Sequence, residues 1–96
     1  PDIALTKTPH PNTLVKAAEI CTSIDKPLCF DYFPQSCMKQ CKIIRHEDQK
    51  VLWKSDDEYT SPLRAMYKID NTESDYPDYI LETQNSVYIV SGLMLL

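Results

Sequence analysis

Four cysteines, Cys21, Cys29, Cys37 and Cys41, crowd into one fifth of a 96-residue chain. Three of them fall in the stretch CFDYFPQSCMKQC, residues 29 to 41, with Phe30, Tyr32, Phe33 and Pro34. Thiols at this density admit four chemistries. Two disulfides are the first, because the count is even and a small core gains from cross-links that restrict the unfolded chain. Three connectivities are possible, and the nested one, Cys21 with Cys41 and Cys29 with Cys37, suits a fold-back at Pro34. The outer bridge would close a loop of roughly 20 residues, worth about 3 kcal/mol in the chain-entropy picture. Zinc is the second chemistry, with Cys29, Cys37, Cys41 and His46 as acceptable ligand types at an unusual spacing. The third is reduced thiols packed as small apolar groups. The last is a reactive thiolate at Cys41, near Lys39, Lys42 and Arg45, though no C-x-x-C motif is present. The disulfide reading is the one expected.

A second group of residues could do binding rather than catalysis. Asp56, Asp57 and Glu58 precede Tyr59, and Asp75, Tyr76, Asp78 and Tyr79 lie together in ESDYPDYILE. Tyrosine supplies much of the contact energy when an interface is desolvated, and carboxylates steer a basic partner toward it. Residues 56 to 82 hold eight acidic residues against Arg64 and Lys68, whereas residues 39 to 54 hold five basic ones against Glu47 and Asp48. The net charge of −4 therefore hides a lopsided chain.

Several function classes are excluded or disfavoured. With Gly92 as the only glycine, no glycine-rich phosphate loop exists. Nucleic acid is a poor partner for a net acidic chain whose basic stretch is short and interrupted. No apolar run reaches the roughly 20 residues of a membrane span, so membrane insertion is not expected. His10, between Pro9 and Pro11, and His46, beside Glu47, show no orienting partner in sequence, so neither catalysis nor a cofactor is implied.

These side chains need a scaffold, and the hydrophobic pattern supplies one. IALTK at 3 to 7 reads as a short strand. Pro11 suits the first turn of a helix, with Asn12 or Thr13 as cap. Leu14, Ala17, Ala18, Cys21 and Ile24 then recur on one helical face over residues 12 to 24. LCFDYF alternates as a strand until Pro34, and QSCMKQC is ambiguous between helix and strand. KIIRH and KVLWK flank EDQ as a hairpin. LRAMYKI alternates, with Leu63, Ala65, Tyr67 and Ile69 on one face and Arg64, Met66 and Lys68 on the other. DYILET and SVYIVS form a second hairpin about Gln84 and Asn85. This element order is shared by cystatin-like folds, but Gln84 and Gly92 are too far apart for their Q-x-V-x-G loop.

The expected fold is thus α+β: one domain over residues 1–96, an N-terminal helix on a curled antiparallel sheet of about five to six strands, stapled by disulfides. The expected function is a non-enzymatic protein-binding or inhibitory domain, secreted or extracytoplasmic (periplasm, cell surface or virion), whose acidic tyrosine loops engage a partner with a basic surface. The alternative is a structural or assembly domain of a larger protein that forms a homo- or hetero-oligomer through an edge or terminal strand.

Overall fold

The computed structural model describes residues 8–70 and 75–95. The strand expected over residues 3 to 7 lies outside them. Helix α1 spans Pro11–Ile24, with Pro11 in the first turn where a missing N–H costs nothing. It ends in a left-handed residue, Asp25 (φ 57°), and the Lys26 N–H closes the turn on the Cys21 carbonyl. Leu14, Ala17, Cys21 and Ile24 face the core as their spacing predicts, joined by Thr13 and Ile20. Ala18 is exposed, so the buried stripe is rotated slightly from the expected one.

After α1 the expected strand over 28 to 33 is cut short. Strand β1 is only Leu28–Cys29; the Phe33 N–H then turns back to the Phe30 carbonyl, and helix α2 runs Phe33–Cys37. Pro34 explains the switch: it cannot donate to a strand ladder but fits a helix's first turn. QSCMKQC resolves into the end of α2 and its cap. Lys39 takes the left-handed conformation (φ 58°), with Gln40 N–H to Gln35 O at 2.7 Å and Lys39 N–H to Ser36 O at 3.2 Å.

The remaining strands are β2 (Lys42–His46), β3 (Gln49–Ser55), β4 (Glu58–Tyr59), β5 (Leu63–Ile69), β6 (Asp78–Thr83) and β7 (Val87–Ser91), followed by a 3-10 turn at Gly92–Leu95. They form two sheets rather than one curled sheet. Four strands run β1-β7-β6-β5 and three run β2-β3-β4. All pairs are antiparallel except β1 with β7. The β2–β3 hairpin turns on Glu47 and Asp48, both left-handed, so Gln49 belongs to the strand and pairs with His46.

Alternation along β6 and β7 makes the four-stranded sheet the middle of three layers. Ile80, Val87 and Ile89 point to α1 and join Ala17 and Phe33 in one core cluster. Leu81 and Val90 point the other way and meet Leu52, Tyr32 and Cys41 in a second cluster beneath the small sheet. Each such aliphatic side chain, fully withdrawn from water, stabilises the fold by about 1.5–3 kcal/mol. A register shift between Leu63 and Ala65 inserts Arg64 as an extra residue, so Leu63 pairs with Thr83 and packs on the second cluster while Tyr67 and Ile69 pack on the first. The expectation that all four share a face fails at that bulge.

Helix α2 completes one edge of the middle sheet. β1 covers only Val87 and Tyr88, and beyond it the Ser36 hydroxyl accepts a hydrogen bond from the Ser91 N–H at 2.8 Å. The edge of β7 is therefore occupied along its length, which removes a site for unwanted strand pairing.

All four cysteines lie in the described residues, and no disulfide joins any of them. The structure thus gives no support to the expected disulfide staple. Cys21 and Cys37 pack against the α1-side cluster, whereas Cys41 is buried in the cluster on the other side of the sheet. The nested pairing fails for that reason: Cys21 and Cys41 are separated by a packed strand layer.

Candidate functional site

The acidic tyrosine loops divide into two separate places. Asp56, Asp57 and Glu58 are exposed at the β3–β4 turn, where the Asp57 N–H donates to the Ser55 hydroxyl at 3.3 Å. Tyr59 follows on the sheet edge, 44% exposed, its ring 4.9 Å from that of His46. Glu58 lies 3.5 Å from the Lys54 ammonium, which also sits 4.5 Å above the Tyr32 ring. Asp75 is exposed, and the half-buried Tyr76 ring is 6.4 Å from His10. These two groups flank opposite ends of β5, a seven-residue strand that spans roughly 20 Å. They do not make one continuous surface.

Two of the predicted contact residues are turned inward. Asp78 is 1% exposed; its carboxylate accepts hydrogen bonds from the His10 N–H at 3.0 Å and the Thr13 hydroxyl at 2.8 Å. It caps α1 from across the fold, where the positive end of the helix dipole favours an anion. The cap expected from Asn12 or Thr13 is supplied by Asp78 instead, and Asp78 is unavailable as a steering charge. Tyr79 is half-buried and packs on the second core cluster, so its ring serves the fold more than a partner.

The cysteine chemistry also resolves. Cys41 is 3% exposed, with its sulfur 3.8 Å from the Tyr32 carbonyl and 3.7 Å from the Met94 sulfur. Burial pushes its thiol up to about 11 despite the nearby Lys54 ammonium, the reverse of what a nucleophile requires. Burial likewise raises Cys21. Among the described residues no cluster of three or more histidine, cysteine or acidic side chains is placed to hold a metal. His46 ends β2 beside Glu47, at 3.2 Å, and is not gathered with the cysteines.

A feature that the sequence reading did not single out lies between the two sheets. A cleft of about 550 Å³ opens where the β2–β3 hairpin overhangs β5, lined by Ile43, Lys50, Leu63, Arg64, Met66 and Gln84 among others. Its signal in the sequence was the polar face of LRAMYKI: Arg64 and Lys68 are the only lysine or arginine residues in the acidic stretch from residue 56 to residue 82. No helix among the described residues is long and apolar enough to cross a membrane.

The chain matches no protein-family model, no curated protein and no solved structure.

Proposed function

We propose that this α+β domain is a non-enzymatic protein-binding module, and that its contact for a basic partner is the β3–β4 tip. The observation that supports this reading is the exposure of Asp56, Asp57, Glu58 and Tyr59 side by side at a sheet edge. The carboxylates raise the encounter rate with a cationic surface, and the Tyr59 ring supplies apolar contact once water is expelled. Asp75 and Tyr76 form a second, separate acidic patch. Inhibition would follow as steric blockade of whatever surface the tip covers. An extracytoplasmic location belongs to this proposal only if the cysteines oxidise, which alkylation of the native protein with and without reductant decides.

An octapeptide of alternating arginine and leucine is a suitable probe. Titrated into ¹⁵N-labelled protein, it should shift the amides of residues 55–59 first, with an affinity that falls as salt is raised. Tyr59→Ala should weaken binding about tenfold, the effect of losing roughly 1.4 kcal/mol of contact. Shifts centred elsewhere, or an affinity unchanged by the triple variant D56K/D57K/E58K, would refute the assignment.

A further inference from the structure

The two edges of the middle sheet are treated differently. That of β7 is filled by β1 and α2, down to the Ser36 hydroxyl on the Ser91 N–H. That of β5 pairs with no described strand. In an antiparallel ladder every second residue of an edge strand turns its N–H and C=O outward, so β5 presents a row of donors and acceptors that no strand among the described residues takes up.

The side chains along this edge carry a definite code. Met66 and Lys68 lie opposite Leu81 and Tyr79, on the face turned toward the small sheet, and both remain exposed beside the β2–β3 hairpin. Met66 is 45% exposed. Arg64 projects at the bulge into the cleft, where Lys50 from β3 joins it. Among the described residues neither Arg64 nor Lys50 has a carboxylate within ion-pair distance, and Lys68 has only a loose 3.8 Å pair with the well-exposed Asp70. In chain order the edge carries a cation, an apolar residue and a cation at Arg64, Met66 and Lys68, with Arg64 set apart by the bulge and Lys50 as a second cation at that end.

We propose that β5 and the adjoining cleft bind an extended acidic peptide as an added strand, with carboxylates meeting Arg64 and Lys50 at one end and Lys68 at the other, and an apolar side chain on Met66. The complementary pattern is acid-x-apolar-x-acid. It is symmetric, so a peptide fits in either direction. The cleft volume of about 550 Å³ falls within the 300–1,000 Å³ range of sites that enclose a ligand. Strand addition draws its affinity from main-chain hydrogen bonds and its specificity from alternate side chains, which is what this edge provides. A second copy of the chain is a poor occupant: antiparallel self-pairing about Met66 would set Arg64 directly against the Lys68 of the other copy, and like charges facing across a ladder repel. The net charge of −4 also opposes diffuse attraction of an acidic peptide, so binding would report the local code.

The test uses the full chain and the peptide TEVLVET, with TKVLVKT as control. NMR titration should shift the amides of residues 64–69 and of Gln49 and Lys50, and hydrogen exchange should slow at alternate β5 amides. The double variant Lys50→Glu and Arg64→Glu, both at exposed positions, should weaken the acidic peptide about tenfold and leave the fold unchanged. The proposal is overturned by equal binding of both peptides, by shifts outside β5 and its cleft, or by no saturation up to about 1 mM peptide. Two further outcomes overturn it by naming another occupant: a peptide-free dimer in sedimentation that Met66→Lys abolishes, or peptide binding seen only after residues 1–7 are removed.

Discussion

Replacing Asp78 tests how the fold is joined, because one carboxylate links the start of α1 to the start of β6. Asp78→Ala removes the acceptor of the His10 N–H and of the Thr13 hydroxyl, and Thr13 is 0% exposed, so water cannot replace it. Leaving a buried donor unsatisfied costs about 1–3 kcal/mol, and loss of an anion at a helix N-terminus about 0.3–1 kcal/mol more. We expect Asp78→Ala to lower stability by about 2–4 kcal/mol, out of roughly 5–14 kcal/mol for a chain of this length. The melting temperature should fall by roughly 10–30 °C. Asp78→Asn keeps an acceptor oxygen and should cost about 1 kcal/mol. Urea unfolding followed by far-ultraviolet circular dichroism measures each step. The decisive measurement is a double-mutant cycle with Thr13→Val. That substitution should be destabilising in the native background and neutral or stabilising beside Asp78→Ala, because the orphaned hydroxyl is then gone. Additivity within about 0.5 kcal/mol would show that the carboxylate does not act through Thr13.

Gly92 donates its N–H to the Pro77 carbonyl at 2.7 Å, and a Cβ at this position would strike that oxygen. Gly92→Ala should therefore destabilise the fold by about 2 kcal/mol in chemical denaturation, and a neutral result would contradict the close approach. The β2–β3 turn holds Glu47 at φ 51° and Asp48 at φ 67°. Changing the pair to Asn-Gly, residues suited to this turn, should raise stability by roughly 0.5–1 kcal/mol, read as a higher urea midpoint at unchanged slope. Alkaline pH should also weaken the fold. Burial raises Cys41 from 9.0 to about 11 and Tyr32 from 10.0 to about 12. The folded state thus holds protons that the unfolded state releases, so stability falls as pH rises through 9 to 12, and Cys41→Ser should flatten the lower part of that decline. A profile unchanged by this variant would remove Cys41 as a cause.

The helix, the two hairpins and the strand LRAMYKI were legible because their apolar spacing repeats over enough residues to define a face. Leu14, Ala17, Cys21 and Ile24 are an example, and their burial follows the expectation. CFDYFPQSCMKQC was not legible in the same way. Its alternation suits a strand, but only Leu28 and Cys29 have room beside β7, and the rest turns into a helix that plugs the same edge. The local pattern states what faces are apolar; it does not state how many residues a neighbouring strand leaves to pair with. The single sheet expected from six strands likewise became two, because β4 ends after Tyr59 and the chain crosses to a different layer.

Residue types alone pointed to an α+β fold with a helix near its start, and determined that this sequence has no glycine-rich phosphate loop and an uneven distribution of charge. Tertiary structure alone decided the use of each group. It withdrew Asp78 from the acidic surface to cap α1, placed Cys21 and Cys41 on opposite sides of a sheet, and set Lys50 beside Arg64. These are pairings between residues far apart in the chain. Sequence spacing specifies which face of an element is apolar, but only the packing of elements against one another determines which polar groups are buried together and which are left at an open edge.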